Sequence, residues 1–346
     1  MKTNLTRTAG APAGRRPSFR CWAPGILALL VAAVSARGQD LFLQRGDPIS
    51  PDIERIYTRG LRYLAGSQAD RGCWTGTRGS EPAVVGLAVL AMLAHGEDPN
   101  FGPYSDAIRK GLDFILQAAD NETGYIGASM YNHGFATLAL AEAYGCVDDP
   151  RLGPALEKAV ALILTAQSEN DRGAWRYSPE SRDADTTVSG AQMVALLAAR
   201  NAGLAVPEQS IRKGIAFFHS CQAGNGGFGY TGAGSATAPC TAIGTLVYAL
   251  AEHRPTTKLK SAFRHLEQID LQRGQHLYYY LYYAAQAFFH VDMEAWRAWN
   301  AKNARLLAET QTAEGSWDGR QGPVFSTAAA LLSLAVNYRL LPIYER

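Results

Sequence analysis

The chain has 346 residues, 47% of them hydrophobic and 18% charged, with 33 Lys and Arg against 31 Asp and Glu. That composition supplies a large apolar core and excludes a disordered, charge-dominated chain. No basic patch or run of like charge points to nucleic acid or to an anionic membrane surface, so neither is an expected partner.

In chain order, residues 1–36 stand apart. Arg15, Arg16 and Arg20 precede the apolar run WAPGILALLVAAV, and VSA at 34–36 offers small residues for cleavage. A basic start, a short apolar stretch and a small-residue exit predict an export signal over 1–36, followed by a linker over 37–50. The run is short for a bilayer, so no stable transmembrane anchor is expected. The adjacent arginines suggest twin-arginine export to the periplasm or the cell exterior. The segment holds Lys2, Arg7 and those three arginines but no acid, which leaves the remainder slightly acidic. Cys73, Cys146, Cys221 and Cys240 lie beyond it without C-x-x-C spacing, and the spacing does not say whether any pair is bridged.

From residue 51 the chain repeats itself. PDIERIYTRGLRYLAGSQ (51–68) has one apolar stripe and predicts a helix exposed on its other side. Gln68 then opens QADRGCW, and related corners begin at Gln117, Gln167, Gln222 and Gln311, with a degenerate copy near Gln268. The period is about 50 residues, in six units. After each corner comes a helix apolar on most faces, predicted over 81–95, 131–145, 186–202, 239–253, 276–290 and 325–339. Striped helices follow at 104–118, 152–167, 207–221, 256–269 and 293–310, and 51–68 supplies the sixth. Helices apolar all round need helical neighbours on every side. The predicted fold is therefore all-α, an (α/α)6 toroid of six inner and six outer helices over 51–346.

The Q-x-x-x-G-x-W corners at Gln68 and Gln311, with variants at Gln167 and Gln222, resemble the QW repeats of squalene and other terpenoid cyclases and of protein prenyltransferase β subunits. The resemblance runs over about residues 50–340 and implies the toroid. It is less specific for chemistry, because such folds host many jobs.

Inner helices of such a ring all run the same way, so their N-terminal ends gather at one mouth, where aligned dipoles and unpaired N–H groups favour acidic and hydroxyl side chains. That mouth is the predicted binding site. Its candidates are Glu81, then Tyr131, Asn132 and His133, then Asp183, Asp185 and Thr186 in RDADTTVSG, then Cys240, and finally His276, Tyr279 and Tyr283. Asp185 has two readings. As the residue before an apolar helix it is an N-cap. By resemblance to the D-x-D-D motif of class II terpenoid cyclases, Asp183 and Asp185 match the first two acids and Asp185 would protonate an alkene or epoxide. Thr186 stands where the third acid would be.

His133 is expected either as a structural hydrogen-bonding group or as a catalytic residue, and a hydrogen bond from it to the Asp183/Asp185 pair would depress their pKa values and weaken them as acids. Tyr279 and Tyr283 are expected to wall the cavity, where aromatic faces stabilise cations. The prenyltransferase resemblance would place zinc at Cys240 and His276, but Ala238 replaces the aspartate ligand, so no metal or other cofactor is expected. The Gly-Glu-Gln of thioester toroids, a D-D-x-x-D segment and a Gly-rich phosphate loop are all missing. The sequence thus predicts an exported toroid taking an apolar small molecule or an extended peptide at this mouth. It leaves open acid-initiated cyclase-like chemistry, a non-catalytic binding role and a carbohydrate-active one. Oligomeric state is not legible.

Overall fold

The computed structural model describes residues 48–252, 255–271, 274 and 276–344. The export signal predicted over 1–36 lies outside them, as does the linker except for residues 48–50. Among the described residues run twelve α-helices: α1 (Pro51–Ser67), α2 (Pro82–His95), α3 (Ser105–Gln117), α4 (Met130–Ala143), α5 (Leu152–Glu169), α6 (Thr186–Asn201), α7 (Glu208–Cys221), α8 (Ala238–Ala251), α9 (Thr257–Glu267), α10 (Leu277–Val291), α11 (Met293–Thr310) and α12 (Pro323–Ala335). A 3₁₀ turn, Pro342–Tyr344, follows, and no strand is present among these residues.

The two helix types differ as their sequences require. Every residue of α2 from Pro82 to Ala94 is buried, and so is α6 from Thr186 to Ala199. In α1 only the stripe Ile53, Ile56, Tyr57, Gly60, Leu61 and Leu64 is buried. The even-numbered helices are the inner ring: α2 packs on α4, α4 on α6, α6 on α8, α8 on α10, α10 on α12, and α12 back on α2. Helix α1 closes the outer layer by docking on α11 and α12. The seam is tied by Gln311, whose Nε2 donates to Ile56 O at 2.8 Å, and by Arg59, which donates to Thr312 O at 2.8 Å. The chain is therefore an (α/α)6 toroid.

The corners at Gln68, Gln167, Gln222 and Gln311 follow one design, whereas Gln117 Nε2 donates to Asp113 of its own helix. Gln68 Nε2 donates to Gly72 O (3.0 Å) and to Ala107 O (3.1 Å); Gln167 Nε2 donates to Gly173 O (2.9 Å) and to Ser210 O (2.9 Å). Each amide closes its own turn and ties it to the next outer helix. The indole N–H of Trp74, Trp175 and Trp317 returns to Leu64 O, Ile163 O and Leu307 O at 2.8–3.0 Å, anchoring the turn to the outer helix just left. Trp175 and Trp317 are fully buried, and truncating either to Ala should cost about 3–5 kcal/mol. Gly72 has φ 81°, and a Cβ there would collide with the carbonyl of Lys110 in α3. Only glycine meets both demands.

At the far side of the ring from the corners, the C-terminal turn packs against α6, with Ile343 and Tyr344 buried. Ile343 N donates to Glu142 Oε2 at 3.4 Å.

Candidate functional site

All six inner-helix starts contribute to one cavity of about 520 Å³, a volume typical of small-ligand sites. Its walls are Ala83 and Val84 of α2, Tyr131 and Phe135 of α4, Thr187 of α6, Pro239 and Cys240 of α8, Tyr279 of α10 and Phe325 of α12. Arg78, Glu81, Tyr177, Tyr230, Thr237, His276 and Gln321 complete the lining from the connecting loops and helix caps. Tyr279 packs edge-on to Phe135, with centroids 6.5 Å apart, and lies tilted beside Phe325 at 6.4 Å. The interior is thus largely aromatic and aliphatic, and the rim is polar.

Which first-turn residue faces the cavity is decided by helical phase, 100° per residue. In α6 the second residue, Thr187, lines it, whereas Thr186 before it turns to the adjacent corner, donating its hydroxyl to Gly229 O at 2.7 Å. In α4 the second residue, Tyr131, lines the cavity, while Asn132 and His133 turn elsewhere.

Asn132 Oδ1 accepts from Ala83 N at 3.1 Å, so it caps the neighbouring helix α2 in trans. His133 is fully buried and faces away from the mouth. Its Nδ1 accepts from Ile126 N at 3.1 Å and its Nε2–H donates to Ala159 O at 3.0 Å. The same corner-closing job falls to hydroxyls in other units: Ser189 Oγ accepts from Trp175 N, Thr241 Oγ1 from Phe228 N and Thr327 Oγ1 from Trp317 N, each at 3.1 Å. Burial holds the His133 imidazole down to about 4, so it is neutral. It makes no hydrogen bond to Asp183 or Asp185; its partners are backbone groups.

Asp185 is the N-cap of α6. Its Oδ1 accepts from Thr187 N (2.9 Å), Val188 N (3.0 Å) and Thr187 Oγ1 (2.6 Å). The side chain is fully buried behind Thr187 and is not part of the cavity wall. Oδ2 has no hydrogen-bond partner and stands 3.9 Å from Arg176 Nε. Burial raises the carboxyl above its ordinary range, against the pull of those hydrogen bonds and of Arg176. Asp183 is surface-exposed and pairs with Arg176 through Nη1. The two aspartates are therefore joined through a guanidinium and do not share a proton. Arg176 also lies 5.2 Å from the Tyr177 ring centre and 5.8 Å from that of Tyr230, whose hydroxyls bond to each other.

The remaining candidates divide. Tyr279 is in the wall, and its hydroxyl reaches toward Thr187 O at 3.4 Å. Tyr283, one turn deeper, is fully buried beneath it with centroids 5.1 Å apart, and does not meet the cavity. Cys240 lines the wall; burial pushes its thiol up to about 11, so it presents an uncharged surface. His276 lies at the rim, its Nδ1 3.1 Å from Gln321 Nε2. Cys73, Cys146, Cys221 and Cys240 are free thiols, and among the described residues no group of three or more His, Cys, Asp and Glu is arranged to hold a metal.

Sequence reading missed Tyr177, Tyr230, Thr187 and Phe325. A signal for the first two was present: Trp175-Arg-Tyr177 and Phe228-Gly-Tyr230 repeat aromatic-x-Tyr in successive corners.

No protein-family model matches the chain, and no curated protein matches it. Solved structures do. The type II terpene cyclase MstE from Scytonema, in complex with its substrate geranylgeranyl dihydroxybenzoate, superposes with a TM-score of 0.59 at 16% identity over 84% of this chain and 98% of that one. An α-1,6-mannanase of Salegentibacter sp. HEL1_6 gives 0.65 at 9% identity over 83% and 99%. The cellobiose 2-epimerase of Spirochaeta thermophila gives 0.63 at 11% over 83% and 98%. The fold is thus a terpenoid cyclase-like α/α toroid, and at these identities the likeness is one of fold.

Proposed function

We propose that the protein is a binding toroid. Its inner-helix mouth takes up a ligand with an apolar body, a small molecule or an extended peptide, without acid-initiated chemistry at Asp185. With the export signal expected over residues 1–36, that role belongs outside the cytoplasm. The observation that carries the reading is the contrast between an open, aromatic-walled cavity and an Asp185 sealed behind Thr187 with its Oδ1 committed to helix amides. Protonating an alkene requires an acid in contact with it, and Asp185 is not in the wall. Polar loops around apolar helices suit a guest with a polar end at the rim, of the kind MstE holds.

The mannanase and epimerase neighbours raise a carbohydrate-active alternative, which the lining does not support. Glycoside hydrolysis uses two carboxyl groups across the substrate, about 5–10 Å apart, and Glu81 is the one acid among the described lining residues.

Titration with a fluorescent decyl-chain probe tests the proposal. Saturable one-to-one binding is expected for the wild type. It should weaken at least about tenfold in Cys240→Phe, which fills the cavity from its wall. No binding by the wild type, or equal binding by a folded Cys240→Phe variant, would overturn it.

A further inference from the structure

We infer that Tyr131 selects the polar end of the guest: its phenolic oxygen, fixed as an acceptor by the relay Tyr131–Thr187–Asp185, favours a ligand that donates a hydrogen bond, an alcohol being the simplest case. The inference rests on the proposed binding role of the mouth and names the chemistry that the mouth recognises.

The polarity of the relay follows from its buried end. Asp185 Oδ1 already accepts two backbone N–H groups, from Thr187 and Val188, so it is an acceptor whatever the charge of the carboxyl; a proton on that group would sit on Oδ2. The Thr187 hydroxyl, 2.6 Å from Oδ1, must therefore donate to it. Having spent its one proton there, Thr187 Oγ1 has only lone pairs left for Tyr131, and the Tyr131 hydroxyl donates to it. Burial, followed by the nearby Asp185, raises the Tyr131 phenol above its ordinary range, so the proton stays on the oxygen. What Tyr131 presents to the cavity is an oxygen with lone pairs and no free proton, polarised by a chain that ends on a buried carboxyl.

An acceptor in the wall of an open cavity is available to water until a guest arrives. A guest that displaces the water must replace its hydrogen bond or leave the acceptor unpaired. An alcohol does so; an ether or an ester oxygen, itself only an acceptor, cannot.

The test is competition of decan-1-ol and decyl methyl ether against the fluorescent decyl probe. In the wild type the alcohol should compete about tenfold better than the ether, the worth of one hydrogen bond to a polarised acceptor. In Tyr131→Phe and Thr187→Val, checked for retained helical circular dichroism, the preference should fall to about twofold or less. Equal competition in the wild type would overturn the selection by Tyr131 while leaving the binding role intact. Failure of the probe itself to bind would remove the binding role and this inference with it. A preference that survives in both folded variants would assign it to another group. Should neither variant fold, the wild-type pair of ligands still decides.

Discussion

The starts of α2 and α6 are the same position in two repeats, and each carries an acid, yet the acids have opposite roles. Asp185 curls back onto Thr187 N and Val188 N and disappears from the surface. Glu81 makes no side-chain bond to its own helix, pairs loosely with Arg78 at 3.4 Å and lines the cavity. Two local facts explain the difference. Asp has the side-chain length that caps, and Glu does not. In addition, Pro82 has no N–H to offer, while Ala83 N is already served by Asn132 from α4. Carboxylates at a dipole-positive mouth are thus not all available for chemistry: one is consumed by the helix it begins, and the other is released because a neighbour does its capping. Arg78, which positions the loop through its carbonyl bond to Glu81 N at 2.9 Å, has φ 56°, a costly conformation for a non-glycine residue at the rim.

The largest effect is expected at Asp185. Asp185→Ala strands buried donors at the start of α6 and should cost about 4 kcal/mol, read by denaturant unfolding. Asp185→Asn keeps the Oδ1 acceptor and should cost far less. It should also remove a pH slope. Burial raises the folded pKa of Asp185 above its unfolded value, so its contribution is fully present below about 4 and is lost as pH rises through the folded value.

The next effect comes from His133, where the sign is opposite. Its folded value, about 4, lies below the ordinary 6.5. Stability is therefore complete above the unfolded pKa and is lost as pH falls from 6.5 toward 4. The loss should reach about 3 kcal/mol. His133→Gln should flatten that acid limb in a pH series of melting temperatures.

Smaller again, Asn132→Ala should remove the cap supplied in trans to α2 and cost about 1 kcal/mol, with amide exchange accelerating at Ala83 before it does so elsewhere. Smallest is Glu81→Gln. The pair with Arg78 is partly exposed, so stability should move by less than about 0.5 kcal/mol. A shift in the binding of charged-head probes, measured by the same competition, is where Glu81 should register.

Much of the ring was legible. Corner spacing and the contrast between all-apolar and striped helices gave six inner and six outer elements within a few residues of their ends. The segment 51–68 was recognisable as the missing outer helix because it has the one-sided stripe of its partners. The cavity was legible only as a location. Tyr131, Cys240, His276 and Tyr279 do line it, but Asn132, His133, Thr186 and Tyr283 sit one or two residues out of phase or one turn too deep. A list of helix starts does not specify rotation about the helix axis, and a 100° step turns a wall residue into a capping or corner-closing one. Asp185 illustrates the same limit, since capping and proton donation need the same residue at the same place. They differ only in whether Oδ1 faces its own amides or the cavity.

The most direct test of the central claim is to incubate the wild type and Asp185→Asn with a polyprenyl alcohol such as geranylgeraniol, and to follow both binding and the recovered compound by mass spectrometry and gas chromatography. Both proteins should bind it, and it should return unchanged from both. A cyclised product from the wild type, abolished in a folded Asp185→Asn that still binds, would contradict the claim.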